Sequence, residues 1–318
     1  MSDAIVSAEI SRRAFLTQLA AAPLAAAQSI APRPQLVDTH VHVWSDDPVA
    51  FPFAHPNNPN FRPPAIAATA EALLAEMDLH AISHAVLVQV IYYGWANRYL
   101  ARCVKEHPRR FRAQGLIDPL GADVADRLES LVREQGFSGV RLSPLYYPGR
   151  EDWLNSEAHR RLWRRAEALK AILNFFILPT QLARLETMIE QFPGVRVVID
   201  HLARIDVKAP SVERDVAQLV RLARFPQVWV KVSELNLMSA SKQHPYADTF
   251  DVVKRASDAF GPDRLLWGTG FPAGTRAQAG RPPLEQELAL IRAGVPFWTP
   301  AEREKILGRN AAALWRFS

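Results

Sequence analysis

Eight short apolar runs alternate along the chain with eight stretches of helical periodicity, and that alternation limits the fold more than any other feature. The runs cover 36–42, 84–90, 111–117, 138–142, 171–177, 195–200, 228–233 and 264–268. Several, such as Val195-Arg196-Val197-Val198-Ile199, lack polar alternation, as parallel strands buried on both faces require. Helical patterns lie near 67–80, 96–107, 122–135, 156–170, 181–192, 211–224, 246–260 and 284–293. Eight strands, each followed by a helix, predict an α/β fold: a single-domain (β/α)8 TIM-like barrel over 36–318. A doubly wound open sheet would open on a glycine-rich first turn, and none follows the first strand. The 318 residues suit one such domain.

Composition narrows the chemistry. A single cysteine, Cys103, excludes an intrachain disulfide and any multi-cysteine metal site. The net charge of +5 is a small excess without a long basic block, so no nucleic-acid partner is expected. The helically spaced Arg160, Arg161, Arg164 and Arg165 read as a solvated helix face. At the N-terminus, Arg12-Arg13 precede Phe15-Leu16 and an alanine-rich run ending in Ala25-Ala26-Ala27. A basic start, a short apolar run and small residues make a secretory signal, and the paired arginines resemble the twin-arginine type. Residues 1–27 are therefore expected to be a signal, 28–35 a linker, and the location the periplasm. The apolar run is too short for a retained membrane anchor.

Polar groups recur where strands end, which is where a barrel keeps its active site. His40 and His42 are two residues apart on the first strand and point to one side, as two ligands of a divalent metal would. His201 closes the sixth run; Arg141 and Lys231 lie in the fourth and seventh. Asp200, next to His201, is expected on the opposite side of its strand. Two long loops, 45–65 with six prolines and 143–155, follow strands one and four. Their aromatic residues suit either a ring-shaped ligand or the packing of the loops themselves.

The segments Asp38-Thr39-His40-Val41-His42-Val43-Trp44, Leu87-Val88-Gln89, Gly139-Val140-Arg141, Ile199-Asp200-His201, Val230-Lys231-Val232-Ser233 and Gly261–Gly268 occur in order at barrel spacing. Together they resemble the amidohydrolase superfamily, in particular its amidohydrolase-related branch of lactonases. The resemblance implies hydrolysis of a small, oxygen-rich cyclic ester. It gives His40, His42 and His201 the roles of metal ligands or of groups that orient water and substrate, and it implies zinc first among divalent metals, or none, because members differ. Substrate contacts would come from Arg141, Gln89, Lys231 and Arg276.

The chain departs from this pattern at strand eight. The branch carries an aspartate there, as base and ligand, whereas this sequence reads Gly268-Thr269-Gly270-Phe271-Pro272, with Gly270 in its place. The strand-five histidine of many relatives is also missing from Ile172-Leu173-Asn174-Phe175. Glu234, where relatives commonly carry glycine, is the expected replacement base. Two other classes stay open: a lyase of the same fold, a decarboxylase or hydratase acting on an acidic substrate, and a binder that has lost catalysis.

Overall fold

β-Branched runs resist helix and favour the pleated sheet, and the apolar runs become strands. The computed structural model describes residues 35–62, 68–147, 150–270, 276 and 281–317. The expected signal and most of the expected linker, 1–34, lie outside them. Its strands are β1 (Val37–Val41), β2 (His84–Val88), β3 (Phe111–Leu116), β4 (Gly139–Leu142), β5 (Ile172–Phe175), β6 (Arg196–Ile199), β7 (Val228–Val232) and β8 (Leu265–Trp267). They pair in parallel, in chain order. β8 returns to β1: Thr39 Oγ1 donates to the Trp267 carbonyl at 2.5 Å, and the Gly270 N–H to the His40 carbonyl at 2.7 Å. The fold is the expected (β/α)8 barrel.

Helices follow the strands: α1 (Ala70–Leu79), α2 (Arg98–Glu106), α3 (Val124–Arg133), α4 (Glu157–Leu169), α5 (Leu182–Gln191) and α6 (Val212–Arg221). After β7 come α7 (Leu235–Met238) and α8 (Phe250–Phe260), and after β8 come α9 (Leu284–Ala289), α10 (Pro300–Glu304) and α11 (Asn310–Trp315). Ser156 caps α4 by accepting from the His159 N–H, and Lys170 ends it in the left-handed region. The arginines of α4 are exposed or half-buried, Arg160 and Arg164 pairing with Glu157 and Arg165 with Glu129, the solvated face expected of them.

α10 and α11 go beyond the sequence reading, and α11 closes the barrel floor. Val37, Val86, Ile172, Val198 and Leu266 fill the strand bottoms and pack on Ala311, Leu314, Trp315 and Phe317. Arg112 and Arg196 donate to the carbonyls of Leu314, Trp315 and Arg316, the groups a helix end leaves without partners. With that end sealed, ligand access falls to the C-terminal ends of the strands.

Two backbone irregularities aim side chains at that end. The β1–β2 register shifts between Asp38 and Val41. Val37 lies in the floor cluster, whereas Val41 packs in the outer core between sheet and helices. Strict alternation would put both on one side; the shift instead turns His40 and His42 inward. Past β6, residues 201–204 all take positive φ, between 50° and 54°. Left-handed backbone costs L-residues about 1–2 kcal/mol each, and strain of this kind gathers at functional sites.

Candidate active site

The left-handed turn corrects one sequence expectation. Asp200 does not face away from His201: Asp200 keeps the inward side of Val198, and the left-handed backbone that begins at His201 turns that side chain into the barrel mouth as well. Asp200 is fully buried and anchors the site. It accepts from Asn174 Nδ2 at 2.7 Å and from Arg141 Nε at 2.9 Å, and it pairs with Lys231 Nζ at 3.0 Å. Burial alone would raise its pKa, but Lys231, His40 and Arg141 outweigh that and hold it well below the carboxylate range.

The histidines meet above this anchor. His40 Nδ1 is 3.1 Å from Lys231 Nζ and 3.4 Å from Asp200 Oδ1, and its Nε2 is 3.2 Å from His42 Nε2. His42 Nδ1 contacts the Val88 carbonyl at 2.7 Å. The rings of His40 and His201 meet edge to face, 4.4 Å between centroids. His201 Nδ1 is 2.8 Å from Ser233 Oγ, and its Nε2 is 3.7 Å from Glu234 Oε2. Desolvation carries His40 well below its ordinary pKa, His42 to about 3 and His201 to about 4, so all three are neutral at pH 7. Beneath them Asp38, raised by burial to about 6, accepts from the His40 N–H and from the Thr269 N–H and hydroxyl, tying β1 to β8.

Glu234 stands at the end of β7, also left-handed with φ 58°. Its Oε1 accepts from Arg281 Nη2 at 2.6 Å. Burial would raise this carboxyl, but His201 and Arg281 bring it down to about 2. A Cβ built on Gly270 would lie 2.6 Å from Glu234 Oε1 and 2.5 Å from Arg281 Nη1. The Glu234–Arg281 pair therefore fills the space a strand-eight side chain would take.

The remaining candidates separate. Arg141, almost fully buried, divides its guanidinium between Asp200, the Tyr146 hydroxyl at 3.4 Å and the face of Phe176 at 4.3 Å. Lys231 is wholly buried and braces His40 and Asp200, so it is not placed for direct substrate contact. Gln89 clamps its own loop, donating to the Ala96 carbonyl at 2.8 Å and accepting from the Val90 N–H at 3.0 Å, which corrects its reading as a substrate contact. Arg276 is likewise engaged elsewhere, with Glu287 at 2.9 Å and the Pro282 carbonyl. Arg281, five residues on, reaches the site in its stead. The sequence reading missed Arg281, Asn174 and Ser233; only Asn174, a lone amide in an apolar strand, carried a visible signal. The aromatics of the loops after β1 and β2 largely pack on one another, as Phe53 on Tyr93 and Phe61 on Tyr92. The loops after β1 and β4 are joined by Asn57 Nδ2 donating to the Tyr146 carbonyl.

Among the described residues, His40, Asp200 and His201 bring ligand atoms within 4.8 Å of one another. Two neutral imidazoles and a carboxylate are a donor set that could hold a divalent ion; Asp200 takes the place given to His42 in the sequence reading. Beside them opens a cleft of about 190 Å³, lined by His201, Arg204, Ile205, Glu234 and Met238 among others.

A parallel barrel with histidines, a buried aspartate and arginines at its strand ends is the architecture of an enzyme that hydrolyses or cleaves small polar molecules. The chain belongs to the amidohydrolase 2 family, whose profile, described as amidohydrolase, matches residues 37–317. It is 29% identical over 284 residues to the 4-sulfomuconolactone hydrolase of Rhizobium radiobacter, spanning 87% of this chain and 89% of that one. The crystal structure of a probable 2-pyrone-4,6-dicarboxylic acid hydrolase from Acinetobacter baumannii, with citric acid bound, superposes with a TM-score of 0.74 at 22% identity, covering 89% of this chain and 100% of that one. A zinc-bound amidohydrolase from Burkholderia multivorans gives a TM-score of 0.71 at 19% identity, covering 89% and 100%.

Proposed function

We propose that this barrel hydrolyses a small lactone or similar cyclic ester, with Glu234 as general base. The observation that carries the reading is the exchange at the barrel mouth: Gly270 has no side chain, and the Glu234 carboxylate occupies the space one would fill. Supporting it, curated relatives similar over most of the chain are lactone hydrolases. Glu234, kept ionised, takes a proton from water as the oxygen attacks the ester carbonyl, and the ring oxygen leaves with a proton, giving a hydroxy acid. Arg141 and Arg281, which both act electrostatically on His42, face the negative charge that develops on the carbonyl oxygen. A divalent ion, were it to displace Lys231 Nζ from His40 and Asp200, would polarise that carbonyl and acidify water. Arg281 beside Glu234 and Arg204 on the cleft wall offer cationic partners at the mouth, so the site suits a substrate with an acidic substituent. Such a substituent competes for Arg281 and frees Glu234 to act.

The test is a panel of neutral and acidic lactones followed by acid release. Glu234→Gln, isosteric and unable to take the proton, should lower kcat by about 10²–10⁴-fold with binding retained. Substrate loss without acid release identifies a lyase, and a ligand-induced rise in Tm without turnover identifies a binder. Either result, or full activity in Glu234→Gln, overturns the reading.

A further inference from the structure

The buried Lys231 carries an inference that does not depend on which reaction the barrel performs. An ammonium group has only donors. At 3.1 Å from His40 Nδ1, Lys231 Nζ must donate to it, and Nδ1 has a single lone pair. A neutral imidazole has one N–H, which then lies on His40 Nε2 and donates across 3.2 Å to His42 Nε2. His42 in turn carries its proton on Nδ1, which donates to the Val88 carbonyl at 2.7 Å. Both imidazole N–H groups meet an acceptor, and the single lone pair of each imidazole is in use.

We infer that Lys231 is the resident cation of this site, fixing the tautomers of His40 and His42 and opposing any divalent ion at the His40, Asp200 and His201 donor set. The opposition holds for either mode of ligation. An ion on His40 Nδ1 needs the lone pair that Lys231 holds. An ion on Nε2 forces the proton to Nδ1, where it lies 3.1 Å from the Lys231 donors and can reach only Asp200 Oδ1, at 3.4 Å and already held by the same ammonium. Asp200 Oδ1, the third atom an ion would use, is already 3.0 Å from the same ammonium. Within a buried site, two such cations side by side repel strongly. Lys231 is thus a positioning residue, acting through His40 and Asp200.

The test is zinc uptake by wild type and Lys231→Met, measured by equilibrium dialysis and elemental analysis, with cobalt(II) absorption reporting ligand geometry. Methionine keeps the length and volume of the chain and removes the charge. Lys231→Met should bind zinc at least tenfold more tightly than wild type, and adding Asp200→Asn should abolish the gain. Equal affinities, or a wild-type protein that retains one ion per chain through dialysis against chelator, would overturn the inference. Should Lys231→Met fail to fold, long-range ¹H–¹⁵N spectra of the wild type decide alone. Protons on His40 Nε2 and His42 Nδ1 are expected, and a proton on His40 Nδ1 refutes the assignment. None of these readings involves turnover, so a chain inactive on every lactone would leave them interpretable.

Discussion

Gly270→Asp, which restores the residue usual in the branch, should damage this protein unless Glu234 is shortened with it. Gly270 has φ 64°, and a Cβ there would lie 2.5 Å from Arg281 Nη1 and 2.6 Å from Glu234 Oε1. The left-handed backbone costs an L-residue about 1–2 kcal/mol, and overpacking adds about 1–3 kcal/mol. The single substitution should therefore destabilise by about 2–5 kcal/mol. Glu234→Gly works in the opposite sense at its own position, because φ 58° suits glycine and the carboxylate leaves the contested space. In Glu234→Gly/Gly270→Asp the new carboxylate has room, Arg281 regains a partner, and one of two left-handed L-residues is gone. Chemical denaturation of the four proteins gives the coupling between the sites, expected at about 2 kcal/mol or more for residues sharing one volume. Turnover should follow the same pattern, low in each single variant and recovered in part in the double. Additivity within about 0.5 kcal/mol, or a Gly270→Asp protein as stable as wild type, would show that the two positions do not compete for one carboxylate site.

Asp200→Asn should cost about 3–5 kcal/mol, because it leaves the buried Lys231 and Arg141 without their carboxylate; a drop no larger than that of an exposed aspartate would contradict its role as anchor. Stability should fall as pH drops below about 6.5. His40, His42, His201 and His159 are neutral and buried in the fold with lowered pKa values, so the unfolded chain takes up four protons they refuse, while Asp38 at about 6 and Glu287 at about 7 act in the opposite sense. The balance of two protons is worth about 3 kcal/mol per pH unit between pH 6 and 4.5. Below that Asp200 and Glu234, whose folded values are depressed, add a loss of the same sign. A Tm that is flat or rises from pH 6.5 to 4.5 would reject this account. Finally, we propose export by the twin-arginine route: replacing Arg12 and Arg13 with lysine should leave the full-length chain in the cytoplasm, and unchanged periplasmic delivery would exclude that route.

The fold was legible because burial on both faces of a parallel sheet leaves continuous apolar runs, and each run recurs as a strand within two residues of the expected bounds. The floor helix α11 was not read, since a helix that plugs a barrel is apolar where it meets the strand bottoms and has no simple amphipathic stripe; Ala311, Leu314 and Trp315 are its buried residues. In the site, strand alternation located His40, His42, Arg141 and Lys231, and it failed at His201. Alternation is a rule about strands: Asp200 keeps the inward side of Val198, but the chain turns left-handed from His201 on and brings that side chain inward as well. Arg281 was beyond reach for another reason. Its contact with Glu234 spans 47 residues and two loops, and nothing in local spacing encodes such a distance.

The backbone around Glu234 bears on the proposed replacement of a strand-eight carboxylate. A side chain at Gly270 and a side chain at Glu234 converge on one volume from adjacent strand ends, each on a left-handed residue. For both to be accommodated, the Glu234 carboxylate and the Arg281 guanidinium must shift. Glutamate has one methylene more than aspartate, which lets it span the gap between β7 and the space beside β8. There it meets Arg281 at 2.6 Å and comes within 3.7 Å of His201. The histidines and the anchor Asp200 then keep their places whichever strand supplies the acid. What changes is the direction from which the carboxylate enters the site, and with it the face of a bound ring to which water can be delivered.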